Sequence, residues 1–420
     1  SATLQNDRQS RTGAGRRRCP VTPTSTGSVI SSLLSTGADM GGHRARRRVL
    51  HVVEDLKIGG LERVIQTIAL GLDRRRYEVE VWCLARGGAV AEEIRSRGVP
   101  VRILGLTSYY NPARVADLAR ALGQSRFDVM HAHGYFASTF CRLAALGAPI
   151  PVIVAHLHTT QHDFRARHRQ IERLLSLCTD RVICVSRAVQ AFAMEQLGIA
   201  PERLAVIYNT AFCDAAACPA ENVQRWRSEL RLNGDEEVIL SLASLTKNKG
   251  HDVILHALKR LLDSGRNLRC LVVGDGPLRG ELVELAARIG VGHAVLFTGM
   301  QTDVLPFLRM AKLLVLASIE REGLSVALIE GASAGLPLVG SRLGGIPEVI
   351  EDGGNGVLVE PGNAEELASA VGRLLDDGPL RERMARRSLE VYRMRFAPGI
   401  MLGKIEALYE EALERKAHAV

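Results

Sequence analysis

The sequence predicts an α/β fold made of two doubly wound parallel-sheet domains. Short apolar runs typical of buried parallel strands alternate with helix-compatible stretches over residues 49–209, and the alternation resumes over residues 238–359. A linker with one short helix separates the two regions. Because strands that alternate with helices favour parallel sheets, we expect each domain to bind ligands at the carboxyl ends of its strands.

The predicted division of the chain follows this alternation. Apolar residues at helical spacing after residue 397 predict a terminal helix. The predicted segments are 49–215 (first domain), 216–236 (linker), 237–396 (second domain) and 397–420 (terminal helix). Residues 1–48 are rich in Ser, Thr, Gly and Arg and show no periodicity, so we interpret them as a disordered basic tail or as a mis-called start ahead of Met40.

The composition narrows the classes of function. The 420 residues contain no apolar run near the roughly 18 residues of a membrane-spanning helix. Scattered cysteines in apolar strands, without a Cys-x-x-Cys pair, predict a reduced, cytoplasmic protein. The net charge of +8 includes arginine clusters at residues 16–18, 44–48 and 74–76, which favour a peripheral contact with an anionic membrane. Aromatic residues make up only 4%, so we expect no nucleic-acid partner.

Three predicted strands of the first domain end in residues that suit a ligand site. The strand at residues 49–53 leads into Gly59 and Gly60 and then a helix, which offers backbone N–H groups with no Cβ in the way. His131 and His133 end a second strand, and His156 and His158 end the next. Because alternate strand residues share a face, a metal site is one hypothesis. No carboxylate or cysteine accompanies these histidines, so we predict neutral, hydrogen-bonded imidazoles and no metal.

The stretch at residues 321–331 carries the strongest signal. It follows the apolar residues 312–318 and continues as a helix, so Gly323, Leu324 and Ser325 would place backbone N–H groups where a phosphate is favoured. Glu322 lies on the turn, and Glu330 lies about two helical turns later. A carboxylate accepts hydrogen bonds from neighbouring hydroxyls, so two carboxylates beside this turn suit a nucleotide sugar. For such a pair taken alone, solvated surface residues are the alternative.

This stretch resembles the Glu-x7-Glu motif of glycosyltransferase family 4, whose members are retaining enzymes of the two-domain GT-B fold. Residues 335–340 and 344–348 look like the family's next segment, and the resemblance spans roughly residues 49–415. It implies two Rossmann-like domains facing across a cleft and a terminal helix that crosses back to the first domain. The residues at 59–63 and 156–159 are most similar to members that build exopolysaccharide or cell-envelope glycans.

The resemblance also implies roles for the candidate residues. His158 would face the transferred sugar, with His156 as the fallback, and Glu322 would bind the sugar hydroxyls. Lys249 would hold the diphosphate and Glu330 the ribose. The remaining donor-site candidates are the cleft glycines Gly59 and Gly60, the phosphate-binding turn Gly323, Leu324 and Ser325, and Met300 in the loop expected beside the nucleobase.

Two positions depart from the family pattern. Ser244 stands where the family has an arginine, so one diphosphate charge lacks its usual partner, and Lys247 is the expected substitute as a point charge. Asn209 is followed by Thr210 where the family has glycine, and Thr tolerates positive φ poorly.

We therefore expect a metal-independent retaining glycosyltransferase, of hexosyltransferase type, that needs no cofactor. It would move a sugar from a nucleotide-diphosphate sugar, with UDP or GDP as the nucleotide, to a glycan or lipid-linked acceptor. No Asp-x-Asp sequence occurs in the chain. The alternatives are a sugar-nucleotide epimerase or hydrolase of the same fold, and a non-catalytic nucleotide-binding relative, which Ser244 would favour.

Overall fold

The structure is a computed structural model that describes residues 46–106, 112–160, 166–211 and 217–418. Its strands form two sheets in which every described pairing is parallel. The strands of the first sheet are β1 (Arg47–Asp55), β2 (Tyr77–Arg86), β3 (Val101–Ile103), β4 (Val129–His133), β5 (Val152–Leu157), β6 (Arg181–Cys184) and β7 (Leu204–Val206). Those of the second are β8 (Glu237–Leu242), β9 (Leu268–Val273), β10 (Val295–Gly299), β11 (Leu313–Leu316), β12 (Leu338–Ser341) and β13 (Gly356–Val359).

Helices connect the strands and cover both faces of each sheet, as the predicted doubly wound fold requires. In the first half they are α1 (Gly60–Gly71), α2 (Ala89–Ser96), α3 (Pro112–Ser125), α4 (Tyr135–Ala145), α5 (Ala166–Leu177) and α6 (Arg187–Glu195). Next come α7 (Ala220–Glu229), α8 (His251–Asp263), α9 (Arg279–Arg288), α10 (Leu305–Met310), α11 (Val326–Ser333) and α12 (Ile346–Val349). The last are α13 (Ala364–Asp376), α14 (Gly378–Val391) and α15 (Pro398–His418).

Strand β1 illustrates how the sequence builds two apolar layers around one sheet. Val49 and Val53 point to the layer that also contains Ile405 of α15. Leu50 and Val52 point to the opposite layer. Because successive strand residues face opposite sides, an unbroken apolar run is what a strand covered on both faces needs.

The terminal helix α15 packs against the first domain, as the predicted fold requires. Ile405 and Tyr409 are fully buried in the core that contains β1. On the polar side of the helix, Glu406 and Glu410 form ion pairs with Arg76 at 3.2 and 3.1 Å. The apolar stripe read from the sequence thus faces the first sheet.

Strand order places each candidate site at a topological switch point. The first sheet runs β3-β2-β1-β4-β5-β6-β7, and the second runs β10-β9-β8-β11-β12-β13. The order reverses between β1 and β4 in the first sheet and between β8 and β11 in the second. Ligands of such folds bind beyond the carboxyl ends of the strands at these points. The turns after β1, β8 and β11 carry Gly60, Lys249 and Glu322.

Two local expectations need correction. Strand β1 begins at Arg47, so Arg47 and Arg48 belong to the first sheet and not to the predicted tail 1–48; residues 1–45 lie outside the described residues. Thr210 is not among the described non-glycine residues with positive φ, which are Arg126, Arg231 and Arg321. Its hydroxyl instead donates a hydrogen bond of 2.6 Å to the Phe396 carbonyl, so no glycine is required there. The segment boundaries 49–215, 216–236, 237–396 and 397–420 stay predictions.

No helix in the described part of the chain has the length and apolar character needed to cross a membrane. Cys83, Cys184 and Cys270 are buried free thiols, in line with their place in apolar strands.

Candidate functional site

The two switch points face each other across a narrow cleft. A Cβ added to Gly60, which begins α1, would lie 3.2 Å from Cβ of Val326 at the start of α11. A Cβ added to Gly323 would overlap the carbonyl oxygen of His158 and lie 2.9 Å from Cα of Thr159. The two domains therefore approach each other at positions where glycine removes the side chain, and the strand ends of both sheets share one site.

Lys249 and Glu322 form the charged centre of the second-domain half of the site. The Lys249 ammonium donates a hydrogen bond of 2.7 Å to Oε2 of Glu322, and the buried hydroxyl of Ser318 donates another of 2.7 Å to the same oxygen. The Glu322 residue is only 5% exposed. The backbone N–H of Ile319 also donates to the Asn248 carbonyl at 2.9 Å, which ties the loops after β8 and β11 together.

Helix α11 begins directly behind this pair. Ser325 caps it, since its hydroxyl accepts a hydrogen bond from the Leu328 N–H at 3.3 Å. Gly323 and Leu324 precede the cap, so the N-terminus of the helix lies next to Glu322 and close to His158. The helix macrodipole and the free amides at this end favour an anion.

Glu330 lies in the middle of α11, about one turn after its first residue, and has an unusual carboxyl group. Burial raises its pKa to about 7, against a smaller opposing effect of the Arg63 guanidinium. No side chain in the described ranges is hydrogen bonded to this carboxylate. A partly desolvated acceptor of this kind gains from hydroxyl donors that a ligand would bring.

Arg63 on α1 is a site residue that the sequence reasoning missed. It forms an ion pair of 2.7 Å with Glu93, and its other guanidinium nitrogen lies 3.5 Å from the Thr302 carbonyl in the second domain. Thr302 is two residues beyond Met300, which is 53% exposed in the loop after β10. Arg63 thus spans the cleft between Glu330 and this loop. The sequence could place Arg63 on the first helix, but it could not show that Arg63 reaches a loop of the second domain.

The loop after β8 presents Ser244 and Lys247 to solvent. The Ser244 hydroxyl lies 3.3 Å from the Thr246 hydroxyl, and Lys247 belongs to the 3₁₀ turn Lys247–Lys249. Both residues are exposed, whereas the Lys249 side chain is 19% exposed. The structure brings Lys249 to Glu322 and leaves Ser244 and Lys247 on the outer part of the same loop.

At the first glycine turn, Glu62 occupies the space that a ligand would enter. Its Oε2 lies 2.3 Å from the position that a Cβ of Gly59 would take, and burial raises the pKa of its carboxyl group. The backbone N–H groups of Gly59 and Gly60, which the sequence predicts to be free, therefore lie next to the carboxylate of Glu62 in the same helix.

His158 belongs to a larger cluster than the sequence predicted. His131, His133, His156 and His158 all lie at the strand ends, and His51 of β1 joins them because β1 pairs with β4 in register His51↔His131. Burial lowers the pKa of all five imidazoles, to about 3 for His51 and His158, so the rings are neutral at physiological pH. His158 is accordingly a hydrogen-bond partner for a ligand and not a cation.

Comparison with known protein families identifies the family to which this chain belongs. Residues 58–211 match the model described as Glycosyltransferase Family 4, and residues 222–391 match the model described as Glycosyl transferases group 1. The two matches lie one after the other and include the turns after β1, β8 and β11. The chain is a family 4 glycosyltransferase.

Two curated bacterial relatives extend over most of this glycosyltransferase. N-acetyl-alpha-D-glucosaminyl L-malate synthase of Bacillus anthracis is 25% identical over 309 residues, which cover 72% of this chain and 80% of the relative. The UDP-Gal:alpha-D-GlcNAc-diphosphoundecaprenol alpha-1,3-galactosyltransferase of Escherichia coli is 22% identical over 352 residues, which cover 80% and 90%.

A solved structure agrees with the GT-B fold of this glycosyltransferase. Anabaena Alr3699/HepE, in complex with UDP and glucose, superimposes with a TM-score of 0.78 at 22% identity. The match covers 87% of this chain and all of the other. The predicted two-domain fold and transferase class are confirmed.

Glu348 is a further residue of this glycosyltransferase that sequence reasoning did not single out. From the second domain, its two carboxylate oxygens accept hydrogen bonds from the backbone N–H groups of Arg187 and Ala188 at 2.9 and 3.0 Å, which caps α6 of the first domain. The sequence shows that Glu348 follows Gly345 and Pro347, but it does not show that Glu348 binds the N-terminus of α6.

Proposed function

We propose that this glycosyltransferase moves a hexose from a UDP- or GDP-sugar to a glycan or lipid-linked acceptor, with retention of configuration and without a metal. The observation that carries the proposal is the arrangement of Lys249, Glu322 and the α11 N-terminus opposite His158, with Glu330 about one turn into the same helix. A cation and a helix N-terminus suit a diphosphate, and the two carboxylates suit hydroxyls on either side of it.

In the proposed reaction, the bond between the anomeric carbon and the diphosphate oxygen breaks, and a bond to the acceptor oxygen forms. The acceptor's proton leaves with the diphosphate. Lys249 and the N-terminus of α11 stabilise the charge that builds on the leaving diphosphate, which is where preorganised groups lower the barrier most. Glu322, already held by Lys249 and Ser318, orients the sugar hydroxyls. Glu330 binds the ribose, and the loop at Met300 contacts the base.

Domain closure is part of the proposal. Gly60 against Val326, Gly323 against His158, and Glu348 against α6 join the two domains around the site, so closure would exclude water and limit hydrolysis of the donor. The arginine that the family places at position 244 is absent, and Arg63 or Lys247 would supply the positive charge on that side.

The relatives support the donor and acceptor classes. The Escherichia coli relative is a galactosyltransferase for UDP-Gal and alpha-D-GlcNAc-diphosphoundecaprenol, and the Anabaena structure contains UDP. Peripheral binding to an anionic membrane at its cytoplasmic face belongs to the same proposal. The arginine cluster at residues 16–18 lies outside the described residues. The clusters at residues 46–48 and 74–76 fit this contact poorly, because Arg47 pairs with Asp128, and Arg76 pairs with Glu406 and Glu410. Exposed Leu174 and Leu177 on α5 are the better candidates for this contact.

The test is a calorimetric and thermal-shift titration with UDP, GDP, ADP and their common sugars. Ligand binding raises the melting temperature by mass action. We expect one nucleotide class to bind the wild type and to lose at least about tenfold in affinity in Lys249→Ala and Glu330→Ala, a loss of roughly 1.4 kcal/mol. The exposed Lys259→Ala and Glu284→Ala variants are matched controls. Equal affinity in all four variants would overturn the site assignment, and sugar release without an acceptor would point to a hydrolase.

A further inference from the structure

Five histidines, four near the ends of β4 and β5 and His51 in the middle of β1, form a compact polar cluster beneath the cleft. His51, His131, His133 and His156 are at most 1% exposed. The rings of His131 and His133 stack with centroids 4.2 Å apart, and those of His156 and His158 stack at 4.1 Å. The proposed transfer reaction uses only His158, so the other four need a separate explanation.

Ring nitrogens converge at two places in this cluster. One nitrogen from each of His133, His156 and His158 lies within 4.8 Å of the others, and the same holds for His51, His131 and His133. Nδ1 of His133 is 3.3 Å from Nε2 of His158. Two imidazole ligands of a tetrahedral zinc ion are separated by roughly 3.4 Å, as follows from Zn–N bonds of about 2.0–2.1 Å. Small ring movements would therefore bring three nitrogens to ligand distance.

The surrounding hydrogen bonds orient two of these rings, His133 and His156, as ligands are usually oriented. His133 Nε2 lies 3.0 Å from His51 Nδ1, and His156 Nδ1 lies 3.2 Å from His131 Nε2. His131 is held in turn by the Tyr409 hydroxyl at 2.6 Å. Metal-bound histidines characteristically have the second ring nitrogen fixed by such a partner.

Three buried ring nitrogens of the cluster remain without a partner. His51 Nε2, His156 Nε2 and His158 Nδ1 are buried and have no hydrogen-bond partner among the described residues. Buried polar atoms are rarely left unpaired unless a bound group satisfies them. A neutral imidazole nitrogen offers a lone pair to a metal.

We propose that His133, His156 and His158 bind a divalent cation of the zinc class, and that the bound ion inhibits transfer by holding His158 away from the sugar. Imidazole ligands favour zinc and its neighbours in the first transition series over Mg²⁺ or Ca²⁺. This triad is preferred to His51, His131 and His133 because His158 borders the cleft, where an anion can serve as the fourth ligand. A fully buried dication without an anion would be too costly. The inhibitory part of the inference rests on the proposed function; the binding part does not.

The test uses the full chain, freed of metal with a chelator and titrated with Zn²⁺, Co²⁺ and Mg²⁺. We expect about one Zn²⁺ per chain by calorimetry and metal analysis, the visible absorption of tetrahedral Co²⁺, and no binding of Mg²⁺. The variants His158→Ala and His133→Asn lower the zinc affinity at least about tenfold. His256→Ala, on the exposed face of α8, leaves it unchanged. Circular dichroism and melting temperature check that each variant folds.

Three results would overturn the proposal. Absence of stoichiometric zinc binding removes the site, and zinc affinity that survives in His158→Ala but falls in His51→Ala moves it to the other triad. Zinc bound without loss of transferase activity removes the inhibitory role. UDP or GDP binding to the metal-free chain is measured in parallel, so failure of the nucleotide site is recognised separately from failure of the metal site.

Discussion

Gly323 of the second domain lies directly against the backbone carbonyl of His158 in the first domain. A Cβ at position 323 would overlap that oxygen, although Gly323 has no positive φ that would require glycine. Glycine is needed here because two backbones from different domains meet, and the contact joins the proposed phosphate-binding turn to the proposed sugar-binding strand end.

The first prediction concerns this contact. Gly323→Ala should separate the two strand ends by a fraction of an ångström and reduce transfer by about 100-fold, because small misplacements of reacting groups are expensive. The fold should persist, since the residue is at an interdomain surface. Steady-state kinetics and the melting temperature measure the two effects.

Gly280→Ala is the matched control for Gly323→Ala. Gly280 is in helix α9, and an added Cβ there meets nothing within 4 Å. Its activity should equal that of the wild type. Equal activity of the Gly323→Ala variant would show that the close approach is not functional.

The second prediction concerns the ion pair of Lys249 and Glu322. Lys249→Met removes the cation from a carboxylate that is only 5% exposed and should lower the free energy of unfolding by on the order of 1–3 kcal/mol. Adding Glu322→Gln should recover part of that loss, because the remaining buried group is then uncharged. Urea denaturation of both single variants and of the double variant measures the coupling.

Lys259→Met serves as the control for Lys249→Met, since Lys259 pairs with Asp263 on the surface of α8 and little stability is expected from such a pair. A Lys249→Met variant as stable as Lys259→Met would contradict the prediction.

The third prediction follows from the raised pKa of Glu330, which is about 7 in the folded protein against 4.5 for the ordinary carboxyl group. Between these values the folded state binds more protons than the unfolded state, so this residue makes stability fall as the pH rises from 4.5 to 7. Glu330→Gln should therefore leave the melting temperature unchanged near pH 4.5 and raise it by about 2–4 °C at pH 8.

Ionisation of Glu330 lowers the stability of the fold, but it should strengthen nucleotide binding. Ribose hydroxyls need an ionised acceptor, so we expect the affinity of the wild type for its nucleotide to rise between pH 6 and pH 8, a range set by the pKa of about 7. Calorimetry in Glu330→Gln should give a weaker and flatter pH dependence. A parallel pH dependence in wild type and variant would place the titrating group elsewhere.

The fourth prediction concerns the buried pair that joins α4 to α5. Arg142 donates two hydrogen bonds of 2.6 Å to Glu172, and both side chains are at most 2% exposed. Arg142→Met leaves a buried carboxylate that keeps a hydrogen bond from the Thr139 hydroxyl but has lost its cation, and it should cost about 3–5 kcal/mol of stability. Arg142→Met combined with Glu172→Leu should recover most of this. Asp117→Asn, which breaks the exposed pair with Arg120, is the control and should change stability little.

Local patterns in the sequence determined a large part of this protein. The strand-and-helix alternation depends on which residues are apolar and on spacings of two and 3.6 residues, which neighbours along the chain specify. The turn at Gly323 and the spacing of Glu322 and Glu330 are equally local, so the sequence could place the proposed phosphate-binding turn and its two carboxylates on one strand-to-helix connection. The GT-B arrangement was expected from the family resemblance.

Only the tertiary structure decided which distant residues meet. His51 joins His131 because β1 pairs with β4, Arg63 lies near Glu330 because the domains face each other, and Glu348 caps α6 across the cleft. Strand order and domain closure depend on packing between residues far apart in sequence, and no short-range periodicity encodes them. Burial also depends on residues that are distant in sequence. It raises the pKa of Glu330 and keeps the histidine cluster neutral, and the residues next to each of these groups in the sequence do not predict it.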